Sequence, residues 1–181
     1  LRGTSYGDVR ILTGDSGAPD LMDIYGVGDV RGAANMVGTA QGYPTMLGKF
    51  PSMNGEDNVT LFRVEEMHLI AAETSLRAGN AADALSYLNN IPAIRGLGAD
   101  YYASATLENI LEERRKEFAF EGLRFHDLSR MGMDMPSVDP FKQTNDDLTG
   151  TPPAYGSYRY AYPIALSERN ANPNMVQNYG Y

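Results

Sequence analysis

The chain has 181 residues, 43% of them hydrophobic and 21% charged, with a formal net charge of -8. That composition fits a globular domain with its own core and argues against nucleic acid or an anionic membrane surface as a partner. Cysteine is absent, which excludes disulfides, thiolate metal sites, a cysteine nucleophile and a lipidated cysteine within these residues.

No apolar run reaches the roughly 18 residues needed to span a membrane as a helix. The sequence opens at Leu1 with no signal peptide, so an upstream start is expected. Composition divides a single domain, 1–181, into three stretches. Residues 1–60 are rich in glycine and turn formers, as in GDSGAPD and GVGDVRGAAN, and predict a loop-rich lead-in with at most a short helix. Residues 61–132 predict the helical centre. Residues 133–181 return to Pro, Gly, Asn and Tyr and predict an irregular C-terminal segment. The fold class expected is therefore mainly α, with long irregular flanks. Flanks of that length are uncommon unless they pack on something or carry function.

From Leu61 to Ala78, the residues Val64, Met67, His68, Ala71, Ala72 and Ser75 recur at helical spacing. Gly79 is a C-terminal stop and Asn80 caps a second helix, with Asp83 in its first turn. On that second helix Ala81, Ala84, Leu85, Leu88 and Ile91 share a face, and Pro92 and Gly96 bound its end. The resulting hairpin has Ala72, Gly79, Ala84 and Leu88 where a tetratricopeptide repeat needs small or apolar residues. Any antiparallel helix pair accounts for them equally well. A single repeat leaves one apolar face bare, so further helices here or outside the chain are expected to cover it.

A third helix is predicted from the N-cap Thr106, with an apolar stripe Leu107, Ile110, Leu111, Arg114 and Phe118, and a break at Gly122. An arginine on an apolar stripe must snorkel or meet a carboxylate. A short helix over about 123–131 would bring Arg124 and Asp127 back toward Arg114, Arg115 and Glu121. That predicts a partly buried ionic corner rather than a catalytic centre.

Catalytic patterns are missing. His126 and Asp127 are adjacent and face apart on a helix. Glu65 and His68 make only one E-x-x-H pair, and the chain has just two histidines. Adjacent carboxylates such as Glu112–Glu113 do not define a glycosidase pair. Asp139 to Asp147 lacks the alternation of a calcium loop. No metal, cofactor or enzymatic activity is expected.

Four segments resemble the SusD/RagB family of outer-membrane nutrient-binding lipoproteins: GDVR at 28–31, LFRVEEMHLIAAETSLRAGNAADALSYLNNIPAIRG at 61–96, ILEERRKEFAFEGLRFHDLSRMG at 110–132 and YPIALSERNANPNMVQNYGY at 162–181. Met131, Ala165 and Tyr179 stand where the family usually has tryptophan or proline. The resemblance implies the C-terminal portion of a SusD-like α fold, with the N-terminal part of the same protein and its lipid anchor outside this chain. It implies capture of an oligosaccharide or other nutrient at the bacterial outer surface, for delivery to a SusC-like TonB-dependent transporter. The alternative is a tetratricopeptide-like protein–protein module with no sugar involved. Sugar capture needs aromatic faces with polar neighbours, and the candidates are Tyr155, Tyr158, Tyr160 and Arg159 near the C-terminus and Tyr43 in the lead-in.

Overall fold

The structure is a computed structural model that describes residues 23–33, 37–40, 43–46, 48–51, 56–135 and 153–181, the two strands by their backbone alone. Asp139 to Asp147 and Gly150 to Pro152 fall outside it. The chain forms two compact units, Leu1–Arg124 and Phe125–Tyr181. The described helices make the fold mainly α: α1 (Val64–Arg77), α2 (Ala81–Ile94), α3 (Leu107–Glu117), α4 (Leu123–Arg130) and α5 (Leu166–Ala171).

In the first unit α1 and α2 form the predicted hairpin. Ala78 closes α1, Gly79 turns at φ 81°, and the Asn80 side chain accepts from the Asp83 N–H. The core unites Leu69 and Ala72 of α1, Leu88 and Ile91 of α2, Ile110 of α3, Tyr102 and Phe118. Asn89 ties α2 to the loop before α3: its amide donates to the Tyr102 carbonyl at 3.0 Å and its carbonyl accepts from the Tyr102 N–H at 2.9 Å.

The observed helices refine the sequence reading in detail. The buried side of α1 is Leu69, Ala72 and Glu73, whereas Val64 and Met67 point to solvent. This helix carries apolar residues on two sides, so spacing alone does not choose the inner one. α2 ends at Ile94, between Pro92 and Gly96, with Pro92 inside its last turn. α3 stops at Glu117, before Gly122, and the chain turns through Phe120 at φ 64°.

The lead-in also contains more structure than its composition predicts. Val37–Ala40 and Tyr43–Met46 pair as antiparallel strands β1 and β2, with Val37 opposite Met46 and Ala40 opposite Tyr43. A short 3₁₀ turn spans Val30–Gly32, capped by the Asp29 side chain. That turn docks on the end of α2: the Val30 N–H donates to the Arg95 carbonyl at 3.0 Å. Gly96 has φ +90°, and a Cβ there would lie 2.8 Å from the Gly28 carbonyl oxygen, so the approach of the two backbones requires glycine.

In the second unit a 3₁₀ turn, Tyr158–Tyr160, leads into the extended run 161–165 and then α5. Met135 donates its N–H to the Pro153 carbonyl at 3.1 Å.

Candidate functional site

The charged residues of the first unit converge on one face of α3. Glu113 and Glu117 are four apart and therefore stacked on one side of the helix; both are buried. Arg31 grips Asp29 with two parallel bonds of 2.9 and 2.7 Å and reaches Glu113 at 2.7 Å and Glu117 at 3.1 Å. Arg63 meets Glu117 at 2.8 Å, and Arg95 meets it at 2.7 and 3.0 Å while also holding Glu65 at 2.8 Å. One carboxylate thus takes three guanidinium groups. Burial alone would raise the Glu117 pKa, but the Arg95 hydrogen bonds and the charges of Arg95, Arg63 and Arg31 outweigh it and hold it below the usual value. Burial likewise opposes the Arg31 charge, and Asp29 and Glu113 overcome it, leaving Arg31 firmly protonated.

Lys49 joins Arg63 in closing the end of α3. Lys49 donates to the Glu117 and Ala119 carbonyls at 2.6 and 3.0 Å, and Arg63 donates to the Glu117 carbonyl at 3.0 Å. Both also take the Glu121 carboxylate, at 2.5 and 3.1 Å. Cations at a helix C-terminus meet its orphan carbonyls and the negative end of its dipole. At the other edge, Lys116 is fully buried; it contacts Glu113 at 3.1 Å and donates to the Tyr102 hydroxyl at 2.8 Å, and that hydroxyl donates to Glu113 at 2.9 Å.

This lattice holds the frame together. Its carboxylates are taken up by guanidinium, ammonium and hydroxyl groups, and no cluster of three or more metal-ligating side chains occurs among the described residues. The cleft beside it, lined by Arg31, Lys49, Arg63 and Arg95, has a volume of about 170 Å³. That is below the roughly 300–1,000 Å³ of ordinary ligand pockets and suits water bridging the buried Arg63 Nε, which has no partner among the described residues.

The residues of the expected corner are distributed as follows. Arg114 is buried and stacks on Phe118, 5.3 Å from the ring centre; Arg63 lies 5.0 Å from the same ring. Arg115 and Arg124 are half-buried. Glu121 is bound by Lys49 and Arg63, from far earlier in the chain. Asp127 is buried and receives Arg130 at 2.9 Å. The E-x-x-H pair is divided between two partners: Glu65 binds Arg95, and His68 lies 3.3 Å from the Asn90 amide.

The second unit gathers the tyrosines. Tyr155 and Tyr160 pack edge to face with centres 5.6 Å apart, Tyr160 lies 5.7 Å from Phe125, and Tyr158 meets Tyr181 edge to face at 5.2 Å. The Tyr160 hydroxyl donates to the Met133 carbonyl, and the Tyr155 N–H donates to Asp134 at 2.7 Å. Tyr158 is backed by Gly180, where a Cβ would come within 2.3 Å of the ring. Tyr155 and Tyr158 remain about half exposed, and Arg159 is half-buried beside them. Tyr43 sits on β2, away from this unit in sequence, and its side chain lies outside the description.

The model of the SusD family matches residues 41–181. The chain belongs to the SusD family. It is 32% identical over 126 residues to the starch-binding protein SusD of Bacteroides thetaiotaomicron, covering 70% of this chain and 22% of that protein. It is 27% identical over 142 residues to a SusD-like protein of Formosa agariphila, covering 71% of this chain and 25% of the relative. A crystal structure of a SusD superfamily protein from Bacteroides vulgatus superposes with a TM-score of 0.63 at 29% identity, covering 86% of this chain and 36% of that one. The chain therefore spans about a quarter of the length of the curated relatives it matches.

Proposed function

We propose that this chain takes part in non-catalytic capture of an oligosaccharide or similar nutrient at the bacterial outer surface, for delivery to a SusC-like TonB-dependent channel. The lipid anchor and the rest of the binding surface lie outside these residues. Membership of the SusD family supports this reading, as does the starch-binding character in the name of the Bacteroides thetaiotaomicron relative.

The observation that carries it is the second unit's tyrosine cluster. Tyr155, Tyr158, Tyr162 and Tyr181 are 53%, 45%, 79% and 49% exposed, on a backbone fixed by hydrogen bonds. A flat apolar face with a polar tip suits a sugar ring, and a fixed backbone lowers the ordering cost of binding. Affinity electrophoresis of the intact protein through gels containing soluble starch, laminarin, xylan or galactomannan tests it. Retardation in at least one gel is expected; unretarded migration in all of them overturns the glycan reading.

The outer face of α1 favours a second reading, the tetratricopeptide-like contact module. Val64, Met67 and Ile70 are 65%, 48% and 44% exposed at helical spacing, with Phe62 83% exposed just before them. Such a stripe suits a protein surface. Under that reading the intact protein binds no polysaccharide.

A further inference from the structure

We infer that Tyr162, rather than the tyrosines around it, is the sugar-stacking platform of the second unit, and that the C-terminal residues Gln177, Asn178 and Tyr181 act as positioning residues for it. The inference rests on the glycan reading above and names the atoms that serve it.

Ala161 is extended, at φ -104°, ψ 138°, and among the described residues no strand pairs with the run 161–164. Its backbone partners are side chains instead. The Tyr181 hydroxyl donates to the Ala161 carbonyl at 2.8 Å, and the Asn178 amide donates to the Tyr162 carbonyl at 2.6 Å. Gln177 does what a neighbouring strand would do for Ile164: its carbonyl accepts from the Ile164 N–H at 2.8 Å and its amide donates to the Ile164 carbonyl at 3.1 Å. Pro163 has no N–H to satisfy, and it restricts Tyr162 to extended backbone.

The Ala161 and Tyr162 carbonyls and both backbone groups of Ile164 are thus engaged by side chains of the C-terminal residues. The side chain left over is that of Tyr162. Its ring is 79% exposed and has Phe125 6.0 Å from its centre. Tyr158 and Tyr160, the rings nearest in sequence, are committed elsewhere, and Tyr179, 92% exposed, has no ring packed against it among the described residues to fix its place as Phe125 does for Tyr162. Tyr160 lies between Phe125 and Tyr155 with its hydroxyl bound, and Tyr158 is pressed between Gly180 and Tyr181. A large ring held in water on a rigid backbone is pre-organised for a flat partner, and a pyranose presents one.

The test uses the intact protein and the polysaccharide that retards it most among soluble starch, laminarin, xylan and galactomannan. Tyr162→Ala is expected to weaken retention about tenfold with an unchanged melting temperature, because the ring is exposed. Tyr162→Phe is expected to bind as the unaltered protein does. Gln177→Ala is expected to lower both the melting temperature and the affinity, since it frees the Ile164 backbone. Unaltered retention of Tyr162→Ala overturns the inference while leaving the glycan reading intact. Migration of the unaltered protein unretarded through every gel overturns the glycan reading and this inference with it.

Discussion

In residues 23–124 the polar groups turn inward: three guanidiniums meet on Glu117, a fully buried Lys116 lies against Glu113, and α3 ends against Lys49 and Arg63. In residues 153–181 the polar groups of the side chains turn to the backbone and the rings are left outside. The first arrangement ties irregular segments to a helical frame, and the second fixes a stretch that has little regular structure of its own. The difference lies in what remains on the surface. The first unit consumes its charges internally, leaving a cleft of about 170 Å³ beside them and one of about 300 Å³ along the Tyr25–Ala33 segment; the second consumes amides and hydroxyls and leaves aromatic faces available.

The largest effect that separates the two is expected at Glu117. Glu117→Ala takes from three arginines the buried carboxylate they share, leaving an excess of positive charge in the lattice, and is expected to cost about 3 kcal/mol in urea unfolding. Polysaccharide retention at temperatures where the variant is folded is expected to stay unchanged. Loss of retention by a fully folded Glu117→Ala would place binding in the lattice and erase the contrast.

The Gly180 contact sharpens the other side. Alanine there is strained at φ +93° and its Cβ meets the Tyr158 ring, so Gly180→Ala is expected to destabilise the intact protein by about 2 kcal/mol. It displaces the last residues, including Tyr181, so glycan retention is expected to fall together with the melting temperature. A variant as stable as the unaltered protein would show that the tail is free to move away.

pH distinguishes the units as well, since the shifted groups described all lie in the first. The Glu117 pKa is held below its ordinary 4.5. Its contribution to stability is therefore complete above that value and is lost as pH falls through the lowered one. The hydroxyls of Tyr102 and Tyr25 are shifted the other way, upward from 10.0, chiefly by burial, with the Glu113 charge adding for Tyr102. Their contribution is present below pH 10 and is lost as pH rises beyond it. Urea midpoints over a pH series are expected to fall at both ends, and Glu117→Gln is expected to flatten the acid limb alone.

Much of the helical frame is legible in the sequence because its signals are local. Gly79 and Asn80, Thr106 before α3, and the 123–131 span each depend on neighbours within one turn. The choice of face on α1 was not legible, because Val64 and Met67 are as apolar as Leu69. The centre of the lattice was only half legible. Glu113 and Glu117 share a helix face at i, i+4 and Arg114 marks that helix as charged within the core, but Arg31, Lys49 and Arg95 arrive from 82, 68 and 22 residues away, where no spacing rule reaches. The one available signal was GDVR at 28–31, whose Asp29 and Arg31 form the bidentate pair. In the tail, the tyrosines stood out by type, but which ring is free depends on Gln177 and Asn178, ordinary polar residues until they are seen bonded to the backbone of 162–164.

The smallest expected effect is at Tyr160, and it tests whether neighbouring tyrosines have different duties. Tyr160→Phe removes only the hydroxyl that bonds the Met133 carbonyl and keeps the ring between Phe125 and Tyr155. Loss of one such hydrogen bond is expected to lower stability by about 1 kcal/mol, visible in the melting temperature of the intact protein. Because the ring is flanked on both sides and its hydroxyl faces the protein, polysaccharide retention is expected to stay the same. A Tyr160→Phe variant that melts normally yet loses retention would mean that this hydroxyl points to ligand, and the division between rings that build the second unit and rings that face outward would have to be redrawn around Tyr160.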